Sequence, residues 1–117
     1  MTGPIRIQRR RVKGWVMPEN TVYVGRPTIF GNPFSMNGHM EVMGLGREVA
    51  RRDSVAWFRE WMAGRLLTDP ASIQQRERLL ARLPELRGKN LACWCSLGKP
   101  CHADVLLELA NRQKGTP

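Results

Sequence analysis

The apolar positions of the chain fall into short runs and three helical stripes. Ile5 and Ile7 alternate with Arg6, which predicts a short strand with the isoleucines on one face and Arg6 on the other. Residues 1–20 read either as a basic arm that orders on a polyanion or as an edge strand blunted by charge. Met17 to Asn20 is a turn. Thr21 to Val24 is β-branched and aromatic, with turn residues on both sides, and predicts a strand. Asp53 or Ser54 can cap a helix running to about Leu67, with Val55, Phe58, Met62 and Leu66 at helical spacing and Trp57 and Trp61 beside them. Asp69 before Pro70 caps a second helix to about Leu83, with Ile73, Leu80 and Leu83 inward, Arg76, Glu77, Arg78 and Arg82 outward, and Pro84 as its stop. Leu91 to Cys95 is an apolar strand. Cys101 to Asp104 open a last helix through Asn111, with Val105, Leu106 and Leu109 buried.

Two loops interrupt this pattern. Gly25 to Phe34 holds two glycines and two prolines, so it is neither a helix interior nor a central strand. Arg26 and Asn32 stand there as polar groups in a rigid apolar stretch, as at ligand sites; the plainer reading has Phe30 and Phe34 plugging the core. Residues 35–52 are rich in Gly and Met, then in Arg. They read as a loop or lid, with a helix starting at the earliest near Arg47. His39 stands alone in it.

The length of 117 residues is one domain's worth. The elements predict a small α/β domain over residues 21–111, with a mainly parallel sheet, about three flanking helices and a frayed tail from residue 112. No apolar run reaches the roughly 18 residues of a membrane span. The start has no apolar core of the secretory kind. The three cysteines lie within nine residues, a spacing for reduced thiols and a cytoplasmic setting rather than a disulfide framework. The formal charge of +9 comes from 19 cations, mostly Arg, against 10 acids. Arg grips phosphate in bidentate fashion and stacks on bases, so a nucleotide or nucleic acid is the expected partner. A solvated basic surface is the plainer alternative.

The segment Cys93-Trp94-Cys95, five residues, then Cys101-His102 carries the candidate chemistry. Alternation along a strand puts Cys93 and Cys95 on one face. A strand–loop–helix unit brings Cys95, Cys101 and His102 to the strand's carboxyl end, where α/β sheets hold ligands. One chemistry is a metal site, with Cys93, Cys95, Cys101 and His102 as a complete zinc shell. The other is a reactive thiolate. Cys101 at a helix start is favoured as an anion, with Lys99 adding a cation nearby and His102 as proton carrier. A buried, purely structural Cys93 stays open beside both.

The run LRGKNLACWCSLGKPCHADVLLELAN, with VYVGRPTIFGNPF upstream, resembles domain-of-unknown-function family 4326 of bacteria and their phages. The resemblance spans residues 21–111 and maps onto Gly25, Arg26, Pro27, Gly31, Asn32, Pro33, Phe34, Cys93, Cys95, Pro100, Cys101 and His102. The strand–Cys–loop–Cys-His–helix element is also similar to a second uncharacterised family, numbered 488, with Ala103 where that family has Arg. The resemblance implies a small α/β domain and supplies no activity. The two motif loops are expected to meet, with Arg26, Asn32, Cys95 and Lys99 binding a nucleotide or nucleic acid and Cys101 and His102 doing any chemistry. The rival expectations are a basic accessory protein that binds nucleic acid or a host protein, and a zinc-stapled structural module.

Overall fold

A computed structural model describes residues 3–34, 46–66 and 69–112. The lid expected around His39 and all but the first residue of the expected tail lie outside them. Three parallel strands form one sheet in the order β1–β3–β2, with β1 at Arg6–Gln8, β2 at Thr21–Tyr23 and β3 at Asn90–Cys93. Three helices follow the chain as α1 (Arg47–Met62), α2 (Pro70–Arg82) and α3 (His102–Ala110), with a 3-10 turn at Leu83–Leu86. This is the small α/β architecture that the hydrophobic pattern predicts.

Register assigns the two faces of the sheet. Arg6, Leu91 and Val22 stand in one row across the strands, and Gln8 and Cys93 in the next. Leu91, Cys93 and Val24 on that face are fully buried against Phe58 and Trp61 of α1, Leu79 of α2 and Val105 and Leu106 of α3. Ile7, Ala92 and Tyr23 share the opposite face. The isoleucines of β1 thus lie away from the helices, and Arg6 points inward. Ile5 is 54% exposed, whereas the Arg6 side chain is only 7% exposed. The inversion follows from function of place: the core end of β1 meets backbone carbonyls that need a donor.

Three element boundaries differ from expectation. Helix α1 starts at Arg47, after Gly46, because the Arg-rich stretch is good helix former throughout. Asp53 and Ser54 therefore lie inside the helix rather than capping it. It ends at Met62, where Gly64 takes a φ of +90° that other residues avoid. Strand β3 ends at Cys93, so Trp94 and Cys95 already belong to the loop. Beyond α2, Pro84 stops the helix as expected and stands second in the 3-10 turn Leu83–Leu86, where Leu86 is fully buried.

Helix α2 is capped as expected, with Asp69 Oδ1 accepting from the Ser72 N–H at 2.7 Å. Leu80 and Leu83 pack against the core as expected, but Ile73 does not. Ile73 is 38% exposed, while Leu79 is fully buried. The inward row includes Ser72, whose Oγ accepts from Trp61 Nε1, and Arg76, whose guanidinium donates to the Met62 carbonyl. Two polar residues close the end of α1 here, which an apolar stripe cannot reveal.

The two faces of β1 and β3 differ enough for a direct comparison. Leu91→Ala should cost about 2–5 kcal/mol, the range for emptying a packed leucine site. Ile5→Ala should stay within about 0.5 kcal/mol. Urea unfolding of both variants measures the difference, and equal losses would contradict the inverted face of β1.

Candidate functional site

The Gly25–Phe34 loop is built by local bonds. Thr28 donates to the Gly25 carbonyl through both N–H and Oγ1, and the Gly31 N–H reaches the Thr28 carbonyl. Gly25 is required for space, since a Cβ there would lie 2.4 Å from the Tyr23 hydroxyl. That hydroxyl donates to the Arg26 carbonyl at 2.7 Å. The Arg26–Pro27 peptide is cis. Arg26 turns its guanidinium back, donating Nε and Nη2 to the Asn32 carbonyl at 3.0 and 2.7 Å. Asn32 Nδ2 donates to Ser54 of α1, and its Oδ1 accepts from the Phe34 N–H. The Ser54 hydroxyl donates to the Phe34 carbonyl. Phe30 is buried in the core, and Phe34 meets Trp57 and Trp61 edge-on. Both readings of this loop therefore describe it: its phenylalanines plug the core and its polar residues line a cavity.

The second motif supplies the thiols. Cys93 leaves β3, Cys95 follows in the loop, and Cys101 precedes α3, where it occupies the N-cap position without a side-chain cap bond. Their three sulfurs lie within 4.8 Å of one another, and Cys93 Sγ is 3.2 Å from Cys101 Sγ. All three thiols are free, with Cys93 and Cys101 buried. Zinc bound at about 2.3 Å to three sulfurs of a tetrahedral shell needs them about 3.8 Å apart, so the cluster is of the right size.

His102 is 8% exposed and sits edge-on to Phe58. Its Nε2 is 2.8 Å from the Val24 carbonyl. A carbonyl only accepts, so Nε2 carries a hydrogen and Nδ1 is the ring nitrogen on the Cys101 side. Nδ1 is 3.7 Å from Cys101 Sγ. A ligating histidine characteristically donates its other N–H to a carbonyl in this way. The group of three close sulfurs does not itself include His102.

One cavity of about 230 Å³ joins the two motifs. Arg26, Asn32 and Phe34 line it from the first, Cys95, Pro100, Cys101 and His102 from the second, and Arg51, Ser54 and Val55 from α1. The expected meeting of Arg26 and Asn32 with Cys101 and His102 is thus found. Their polar atoms are largely spent on the loop itself. Lys99 is not among the lining residues, and its ammonium bonds Glu48 at 2.9 Å and holds that carboxyl below the usual range. Cys93 is a core residue and a member of the thiol cluster at once.

Two site residues were not singled out in the sequence. Arg6 donates Nη2 to the carbonyls of Ser96, Leu97 and Lys99 at 2.7–3.2 Å, and its Nε is 3.5 Å from Asp104 Oδ1. Burial opposes the Arg6 charge, yet Cys101 and Asp104 outweigh it and keep the guanidinium protonated more firmly than usual. The available signal was a charge set between two isoleucines in a strand. Arg51 was hidden in a segment read as loop. It makes no hydrogen bond or ion pair among the described residues, and its charge favours the Cys95 thiolate.

Hydrogen bonds from Cys93 and then Cys95 push the Cys101 thiol well down, while bonding to Cys101 pushes Cys93 and Cys95 up. A core that buries a thiolate beside a guanidinium and two thiol donors is arranged for a bound cation.

Fold and site together define a small α/β domain with a buried thiol cluster opening on a basic cavity. The chain matches the family described as Domain of unknown function (DUF4326) over residues 7–112, and it belongs to that family. The match starts within β1, so the basic segment that the motifs left outside is part of the family's span. No curated protein and no solved structure matches the chain. No helix among the described residues is long and apolar enough to cross a membrane.

Two outcomes are expected. Arg6→Gln should lower stability by about 3 kcal/mol, because three carbonyls and Asp104 lose a charged donor. It should also speed alkylation of Cys101; unchanged urea midpoint and alkylation rate would contradict the role given to Arg6. In the metal-free protein, the lowered Cys101 pKa means folding releases a proton below the ordinary thiol range. Wild type should therefore gain on Cys101→Ser as pH rises from about 6 towards 8.5, read by urea unfolding in chelator. A pH-independent difference would contradict the buried thiolate.

Proposed function

We propose that Cys93, Cys95 and Cys101 hold a zinc-class ion and that the adjoining cavity receives the phosphate end of a nucleotide-sized anion. The observation that carries this reading is a cluster of three sulfurs within 4.8 Å, two of whose cysteines, Cys95 and Cys101, line a cavity together with Arg26 and Arg51. Soft thiolates select zinc over harder ions. His102 is the fourth donor to hand, with Nε2 held at the Val24 carbonyl and Nδ1 on the Cys101 side. A metal held by three thiolates carries net negative charge, which the buried Arg6 offsets.

Arg51 is the cavity cation with no partner among the described residues, so it is the better phosphate holder; Arg26 is mostly engaged with Asn32. The cavity volume of about 230 Å³ takes a phosphate and part of a sugar, not a nucleic-acid strand. Zinc bound there supplies Lewis acidity when an open coordination position faces the cavity. Whether the domain turns its ligand over or only binds it depends on that position.

Elemental analysis of untagged protein should give one zinc per chain. Replacing Cys95 or Cys101 by Ser should remove it, and chelator should lower the melting temperature. Nucleoside monophosphates should raise the melting temperature of the zinc-loaded protein, and Arg51→Ala should abolish the rise. Absence of metal with one unusually reactive thiol would replace the metal reading by a Cys101 nucleophile. Zinc without any nucleotide response would reduce the site to a structural staple.

A further inference from the structure

On the sheet face away from the helices, four side chains form a stacked ladder. The Arg9 guanidinium lies 4.7 Å from the centre of the Tyr23 ring and 4.6 Å from that of Trp94. Arg11 lies 4.5 Å from the same Trp94 ring. Register accounts for the meeting: Ile7, Ala92 and Tyr23 share a row, and Arg9 and Trp94 lie two residues further along their strands, joined by the Arg9 N–H to Cys93 carbonyl bond of 2.7 Å. None of these residues lines the cavity.

The ladder holds its arginines differently from the ion-paired arginines elsewhere among the described residues. On the helices, Arg59 pairs with Glu108, Arg65 with Glu60 and Arg82 with Glu85. On the ladder, rings take the place of carboxylates. Residues 3–18 contain no acid, and Arg9, Arg10, Arg11 and Lys13 form no ion pair among the described residues. A ring fixes a guanidinium without neutralising it and leaves its in-plane N–H donors free. Three consecutive arginines repel one another, and stacking holds two of them in place against that repulsion. Arg10, Arg11 and Lys13 are exposed, and Trp94 is 40% exposed. The surface is an ordered row of uncompensated charge with aromatic area beside it.

We propose that this ladder is a nucleic-acid interface, with Arg9 and Arg11 gripping successive phosphates of a single strand and Arg10 and Lys13 extending the track. Phosphate spacing along a strand suits cations fixed at a short repeat, and exposed aromatic area beside them favours unpaired bases over a smooth duplex. This surface is separate from the thiol site and stands whether or not that site holds zinc.

The test is fluorescence anisotropy of zinc-replete full-length protein with a labelled single strand of about 16 nucleotides, over a series of salt concentrations. Wild type should bind, with affinity falling as salt rises. The Arg9→Ala/Arg11→Ala variant should bind about tenfold more weakly and with a salt slope shallower by roughly 1.4, two single-strand phosphate contacts' worth. Trp94→Leu should also weaken binding although no charge is lost, and Arg11→Lys, which keeps the charge without the planar stack, repeats that test on a conservative background. Arg52→Ala/Arg78→Ala removes the same charge from exposed positions on α1 and α2 and should change affinity less than about twofold. Equal weakening by the helix pair, unaltered binding by both Trp94→Leu and Arg11→Lys, tighter binding to anionic vesicles than to the strand, or no binding by wild type at low salt would each overturn the proposal.

Discussion

Arg6 reaches from the edge strand into the protein and holds together groups that are distant in sequence. One nitrogen satisfies the carbonyls of Ser96, Leu97 and Lys99, and another faces Asp104 in the first turn of α3. The loop between Cys95 and Cys101 is thereby fixed at both ends. Without a donor of this reach, three loop carbonyls would be left to water, and the two segments that carry the thiols would lose a shared anchor. Cys101 and Asp104 both favour the Arg6 charge, so the group that shapes the loop is also electrostatically linked to the thiols. A short strand of three residues is enough for β1 because its first side chain does this work.

The site is assembled from three strand and helix ends. β2 ends at the loop that offers Arg26 and Asn32, and the Val24 carbonyl there orients His102. β3 ends at Cys93, and α3 starts at Cys101. α1 closes the assembly from the side, with Ser54 receiving Asn32 and with Arg51 facing the cavity. Parallel strands put these ends together, which is why α/β sheets gather ligands at one edge. The buried bond between His102 and the Val24 carbonyl ties the two motif segments together.

Much of this was legible in the chain. Thr21 to Tyr23, the Asp69 cap and the thiol cluster all followed from residue type and spacing. So did the meeting of the two motif loops. The failures share a cause, which is polar residues facing inward. Alternation in β1 assigned the isoleucines to the core, but a guanidinium that satisfies carbonyls took that side. The stripe on α2 favoured Ile73, but Ser72 and Arg76 face α1 and bond to it. Asp53 and Ser54 looked like a cap because capping residues are usually read so, yet Ser54 serves the Phe34 carbonyl and Asn32 from inside the helix. Local pattern reports apolar burial well and reports buried hydrogen bonding poorly.

The account rests most heavily on the three sulfurs acting as one ligand set. X-ray absorption at the zinc edge of the purified protein reads that set directly. The account predicts a shell dominated by sulfur at about 2.3 Å, three sulfurs with one lighter donor. A shell of oxygen and nitrogen alone, or a zinc signal that survives replacement of Cys101 by Ser, would contradict it.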